Sequence, residues 1–239
     1  LAWLGDMAMK NTLVLPGVPS IVQARRVFER SLIASLDSRE GATSVGYNLR
    51  ALKLNASSVR ERLSQEHWSI IIRAEAEFSR DCAAHAGRGA WSAAEALRTL
   101  ETASNHMAAI TGAQTDRMTR DDGWRLLSIG RLVERLCVLA PALASGFATG
   151  AVHDSGGFEA LVALFDSTIT FHAQYQQSRD VAALLDLLVL DRDNPRSLGW
   201  VAQTLRGRLA KLAGSAPDAL DALARRIPDP SQWALAPLC

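Results

Sequence analysis

Apolar residues recur along this chain at helical spacing, with no sustained alternation of the kind a strand would show. Ala, Leu, Arg and Glu, all good helix formers, dominate the periodic stretches. Beyond the breakers Pro16, Gly17 and Pro19, the pattern predicts one helix from Ser20 to about Leu36. A second runs from Thr43 or Ser44 to about Ala84, bending near Asn55. Gly87 and Gly89 predict a loop, and Ala90 to about Thr115 a further helix. Asp121 and Asp122 put negative charge where the next helix's macrodipole favours it, and that helix reaches about Pro141 or a little beyond. Gly146 to Gly157 reads as a linker. Helices follow at about 158–176, 179–190, 196–213 and 217–226, and the tail from Pro228 to Cys239 reads as irregular. The fold class is therefore all-α, a multi-helix bundle.

Two of these helices say more. Over 121–140, Leu126, Ile129, Leu132, Val133, Leu136 and Cys137 share one arc, while Arg120, Trp124, Arg131, Glu134 and Arg135 face the other, together with Leu127 and Val138. Apolar residues on both sides predict a helix sandwiched between neighbours. Its arginines read either as a solvated face or as a half-buried network in which Arg131 and Glu134, at i and i+3, meet. The 179–190 helix is apolar all round except for Asp186, the pattern of a central buried helix. A lone buried carboxylate is costly unless paired, so Asp186 is expected to meet Arg131 or Arg135, as a structural pair or as a functional acid.

Two pairs of segments resemble each other. Leu36-Asp37 followed by Ser44-Val45-Gly46-Tyr47 matches Leu190-Asp191 followed by Ser197-Leu198-Gly199-Trp200, with loops differing by one residue. In each, an acidic turn leads to a hydroxyl cap, a glycine that admits a close neighbour, and an aromatic that fills the gap beyond it. Trp3-Leu4-Gly5-Asp6 through Lys10 matches Ser128-Ile129-Gly130-Arg131 through Arg135 more weakly. The expectation is an internal duplication: halves at about 1–115 and 120–239 sharing one core, hence one domain over 1–239.

Thr119-Arg120-Asp121-Asp122-Gly123-Trp124-Arg125, followed by Gly130-Arg131-Leu132-Val133-Glu134-Arg135, resembles the alpha-E family, a helical domain named for a Glu-Arg motif. Val59-Arg60-Glu61-Arg62-Leu63-Ser64 with Trp68 looks like its first-half motif. Leu184-Leu185-Asp186-Leu187-Leu188 leading to Asp193-Asn194-Pro195-Arg196-Ser197-Leu198 looks like its second-half motif. The N-terminus departs from the family pattern, reading Trp3-Leu4-Gly5-Asp6 and Met9-Lys10 where the family has Trp-Leu-Gly-Arg and Glu-Arg. The first half also lacks the Asn-Pro pair, with Gly41-Ala42 in its region, so the intact copy of the motif is Glu134-Arg135. The resemblance implies an accessory domain, fused to or beside an ATP-grasp protein and in some settings a transglutaminase-like protein, in an amide or peptide ligase system.

Composition narrows the alternatives. Among 239 residues, 26 Lys+Arg against 25 Asp+Glu leave no basic field for nucleic acid. Cys82, Cys137 and Cys239 are odd in number and far apart, which suits a reducing cytoplasm better than a disulfide framework or zinc site; Cys82 and Cys137 read as small core residues. Leu1 in place of Met reads as an incomplete N-terminus, and Asp6 and Lys10 break Leu1–Leu15 as a signal peptide. Val181–Leu190 is about half the length of a membrane span, so a soluble protein with no membrane partner is expected. No two of the five histidines stand at i, i+3 or i, i+4, no Gly-x-Ser-x-Gly occurs, and Gly87 and Gly89 are too sparse for a phosphate loop. No catalytic, cofactor or metal residues are therefore assigned. The binding candidates are Trp124, Arg125, Arg131, Glu134, Arg135, Asp186, Asn194 and Arg196. Asn194 and Arg196 stand at a helix start, where they cap it or offer N–H groups and charge to an anion. Two other functions fit the same residues: an enzyme with an inter-helix pocket for a carboxylated or peptide substrate, and an oligomeric helical scaffold.

Overall fold

The computed structural model describes residues 1–41, 43–86, 91–176, 179–212 and 217–235. The loop expected at Gly87 and Gly89, Ala42, and the end of the tail with Cys239 lie outside them. Among the described residues there are eleven α-helices and no strand. They are α1 (Ala2–Lys10), α2 (Arg25–Ser35), α3 (Val45–Ser58), α4 (Gln65–Ala86), α5 (Ala93–Asp116), α6 (Asp122–Ala148), α7 (Ser155–Leu164), α8 (Thr168–Tyr175), α9 (Val181–Leu185), α10 (Leu198–Leu212) and α11 (Pro217–Arg226). No described helix is long and apolar enough to cross a membrane. The chain divides into two compact units, Leu1–Thr119 and Arg120–Cys239.

In the first unit α4 packs between α3 and α5. Its core joins Leu49 and Ala56 of α3, Ile71, Ala74, Phe78 and Cys82 of α4, and Ala103 and Ile110 of α5. The single helix expected from residue 44 to about 84 is two helices, separated at Val59–Ser64, where a 3-10 turn at Arg60–Arg62 intervenes. The new helix is capped where Ser64 Oγ accepts the His67 N–H at 3.1 Å. α5 opens with a capping box between Ser92 and Glu95. α1 ends in a Schellman motif: the N–H of Thr12 reaches Met9 O at 3.0 Å and that of Leu13 reaches Ala8 O at 2.8 Å. That motif sets a β-branched residue, Thr12, at φ 54°.

In the second unit α10 packs against both α6 and α11. Leu132, Val201, Leu205, Leu209 and Ala224 form the core there. α6 runs past Pro141 to Ala148, and the expected linker at 146–157 holds the end of α6, a 3-10 turn at Ala151–His153 and the start of α7 at Ser155. The buried face of α6 also differs from the expected arc. Trp124, Leu132, Leu139 and Leu143 point inward, while Leu126 is 57% exposed and Val133 43%. Cys137, read as a core residue, is exposed too. Both arcs of this helix are apolar, so α10 decides which one is buried. The solvent side keeps Leu126, Gly130, Val133, Cys137, Ala140, Ala144 and Phe147, all exposed.

The helix expected at 158–176 is likewise two. α7 closes in a second Schellman motif, with Asp166 N–H to Ala163 O at 2.9 Å and Ser167 N–H to Val162 O at 3.1 Å. Asp166 takes the left-handed position at φ 50°, and α8 starts two residues later. The 179–190 segment is buried as expected, but only Val181–Leu185 is α-helical; Asp186–Leu190 widens to a π-turn.

Both units build the same cap from their matching segments. In the first, Ser44 Oγ donates to Ser38 O at 2.7 Å and accepts the Tyr47 N–H at 3.1 Å. In the second, Ser197 Oγ donates to Asp191 O and accepts the Trp200 N–H at 3.0 Å. The glycines are required by approach: a Cβ on Gly46 would lie 2.9 Å from Asp37 Cα, and one on Gly199 2.8 Å from Val189 O.

Candidate functional site

The eight candidate residues divide by what they touch. Trp124 and Arg125 lie at the start of α6, which Asp121 caps by accepting the Trp124 N–H at 3.0 Å. The Trp124 ring is buried and meets two guanidiniums, Arg208 at 4.4 Å and Arg120 at 5.4 Å from its centroid. Arg125 is paired with Asp122 at 2.6 Å. Burial, and then the charges of Arg120 and Arg125, pull the Arg208 guanidinium below its ordinary pKa. Its Nε–H is buried without an acceptor among the described residues. This cluster ties α6 to α10 through an aromatic ring.

Of the other six, Arg131, Glu134 and Arg135 lie along α6, Asp186 follows α9, and Asn194 and Arg196 lie in the loop before α10. Arg131 and Arg135 are half-buried, and Glu134 is exposed. Burial lowers the pKa of both arginines; for Arg135 the charges of Arg196 and Arg131 add to it. Arg135 Nη1 donates to the carbonyl of Pro195 at 3.2 Å, so the arginine of the Glu-Arg pair holds the Asn194-Pro195-Arg196 loop. Within that loop Asn194 is buried and fully employed. Its Nδ2 donates to Ser167 Oγ at 3.2 Å and to Leu187 O at 3.1 Å, and its Oδ1 accepts the Arg196 N–H at 3.0 Å. Arg196 Nη2 reaches Asp166 Oδ2 at 2.5 Å.

The expectation that Asp186 pairs with Arg131 or Arg135 is corrected. Its partner is Tyr175, whose hydroxyl donates to Asp186 Oδ2 at 2.5 Å. Asp186 is half-buried at the point where α9 widens into the π-turn, and a neutral phenol serves a carboxylate there without bringing a second charge out of water. Burial, and then this bond and the charge behind it, push the Tyr175 phenol well above its ordinary pKa.

These contacts converge on α8. Asp166 and Ser167, which lead into it, are held by Arg196 and Asn194, and Tyr175, which ends it, is held by Asp186. Between those anchors α8 carries Thr168, Phe171 and His172, which with Phe158, Glu159 and Val162 of α7 and Arg179 line a cavity of about 510 Å³. Phe158 and Phe171 meet edge to face at 5.4 Å, and Phe171 lies against Tyr175 at 5.3 Å. Glu159 and Arg179 pair at 2.9 Å. His172 Nδ1 lies 3.1 Å from Gln176 O; a carbonyl only accepts, so Nδ1 carries the proton in this bond.

None of the eight candidates lines the cavity; three of them fix the helix that does. In the sequence Phe158, Val162 and Phe171 read as ordinary core positions, with nothing to mark them as a lining. The one available signal was Glu159 and Arg179, opposite charges at the edges of two apolar stretches. Among the described residues no three His, Cys, Asp or Glu side chains gather as a metal site.

A family model described as "a predicted alpha-helical domain with a conserved ER motif", alpha-E, matches residues 7–232. Uncharacterised proteins of Mycobacterium tuberculosis and Mycobacterium bovis are each 28% identical over 178 residues, covering 72% of this chain and 20% of theirs. The chain thus matches about a fifth of the length of these relatives. No solved structure matches.

Proposed function

The chain belongs to the alpha-E family, and on that footing we propose that it is an accessory helical domain of an ATP-grasp-associated amide or peptide ligase system. It docks on the ATP-grasp protein, fused or neighbouring, in some settings beside a transglutaminase-like protein, and holds a small ligand for that system. The braced cavity carries this reading. Asn194, Arg196 and Asp186 are committed to holding α8 rather than to chemistry, which suits a preformed binding wall. That the matching region makes up a fifth of the mycobacterial relatives supports a modular role. The test is co-purification with the ATP-grasp protein followed by ATP hydrolysis with and without this chain. A complex that changes the hydrolysis rate supports the reading; two proteins that neither bind nor affect each other sink it.

An enzyme acting on a carboxylated or peptide substrate is the second reading, favoured by His172 and Glu159 lining one cavity. Turnover of such a substrate by the chain alone, lost in His172→Gln, would establish it. The oligomeric scaffold has the apolar solvent side of α6 in its favour, and light scattering decides it. The matching caps at Ser44 and Ser197 support an origin of the two halves by duplication.

A further inference from the structure

We propose that the cavity between α7 and α8 takes a free α-amino acid with an apolar side chain. This deepens the ligand-holding reading and rests on the cavity being its site, but it does not depend on the ATP-grasp partner. The wall is Phe158, Val162 and Phe171, all buried, with the two rings edge to face, and about 510 Å³ is room for a leucine- or phenylalanine-sized ligand. The charged residues lining it are one acid and one base, Glu159 and Arg179.

That balance selects among ligands. A nucleotide or other polyanion would be repelled by Glu159, and a simple cation by Arg179. A zwitterion satisfies both, with its ammonium on the Glu159 carboxylate and its carboxylate on the Arg179 fork, while the side chain enters the apolar wall. The two residues neutralise each other at 2.9 Å, with side chains 64% and 59% exposed. An ion pair so exposed is weak, so a ligand carrying the same two charges exchanges for it readily. Thr168 and His172 supply further polar contacts at the same cavity.

The experiment is calorimetric titration of the 239-residue chain with L-phenylalanine, L-leucine, N-acetyl-L-phenylalanine, L-phenylalaninamide and L-glutamate. Saturable binding of the first two is expected, weakened roughly tenfold or more when either the amine or the carboxylate is blocked. L-Glutamate should not bind. Arg179→Gln should abolish the preference for the free carboxylate over the amide, and Glu159→Gln the preference for the free amine over the acetylated form. Both side chains are exposed, so these variants keep the fold, as circular dichroism would verify. The proposal is overturned if L-phenylalanine and L-leucine show no saturable binding up to about 10 mM, or if the blocked forms bind equally well. A failed titration with successful co-purification leaves the docking role standing; the converse leaves the ligand assignment standing.

Discussion

The Arg196 guanidinium meets the carboxylate of Asp166 at 2.5 Å, and Asp166 is the left-handed residue at which the chain leaves α7 for α8. The side chains are 44% and 71% exposed, so the pair adds only a little to a conformation that an L-residue adopts at a cost of about 1–2 kcal/mol. Asp tolerates this region better than most residues, which is why the corner persists without glycine.

Thr12 occupies the corresponding position after α1 with a β-branched side chain, the least suited type. Thr12→Gly should raise stability by about 1 kcal/mol, measured as an upward shift of the urea midpoint at constant slope. A lower midpoint would mean that contacts of the Thr12 side chain outweigh the backbone relief. Asp166→Gly should gain less, because it also loses the Arg196 pair.

Asn194→Ala removes two donated bonds and one accepted bond from a buried position. The carbonyl of Leu187 and the Ser167 hydroxyl lose a donor there, and the expected loss is about 2–3 kcal/mol in chemical unfolding. Asn194→Asp should not restore it, since a carboxylate cannot donate to Leu187 O. Full stability in either variant would contradict the bracing role.

The phenol of Tyr175 is held neutral by burial and by the Asp186 bond. Its pKa is raised on folding, so the stabilisation is complete below the ordinary tyrosine value of about 10 and is lost as pH rises through the folded value. Ultraviolet titration should show one of the two tyrosines resisting ionisation beyond the ordinary range. Tyr175→Phe should abolish the resistant component together with the alkaline loss of stability.

His67 is 2% exposed, and neither ring nitrogen has a partner among the described residues. Burial lowers its pKa, so its contribution is complete above the ordinary value of about 6.5 and is lost as pH falls through the folded value. His67→Leu should flatten that acid limb, and at pH 7 it should be neutral or stabilising by about 1 kcal/mol, because two unsatisfied polar atoms leave the interior. An unchanged acid limb would assign the pH dependence to another group.

Cys82 is buried, and burial pushes its thiol up to about 12, while Cys137 is exposed on α6. Alkylation of the native protein followed by peptide mapping should find Cys137 modified and Cys82 protected until denaturant is added. Comparable labelling of both would mean that the α3–α4–α5 core opens readily.

What was legible in the sequence follows from what sets each feature. The all-helical fold, the buried 181–190 segment and the Asp121 cap depend on local spacing and chemistry, and local reasoning reaches them. The split of 158–176 was hidden because Phe165-Asp166-Ser167 lacks the glycine that usually marks such an end. The buried face of α6 was ambiguous because both its arcs are apolar, and packing against α10 decides between them. Asp186 was recognised as needing a partner, but a tyrosine eleven residues earlier carries no signature that distinguishes it from a core aromatic. The Asn194 and Arg196 positions drew attention as a possible anion site, and the fold employs both as fasteners for α8. The described lining of the cavity lies wholly within 158–179, but its two walls face each other only because the chain turns at Asp166, a corner that no glycine announces.

The π-turn at Asp186–Leu190 closes with Asp191 N–H on Asp186 O at 2.9 Å, one residue further along than an α-helical bond would reach. The turn therefore takes up one residue more than an α-helical turn would, without the downstream chain losing its place. Deleting a single residue there would close an ordinary α-turn and leave Asp191–Arg196 near its present phase. The same deletion inside α7 or α8 would rotate every later residue of that helix by about 100° and take apart the cavity wall, so tolerance to a change in length is confined to the π-turn beside it.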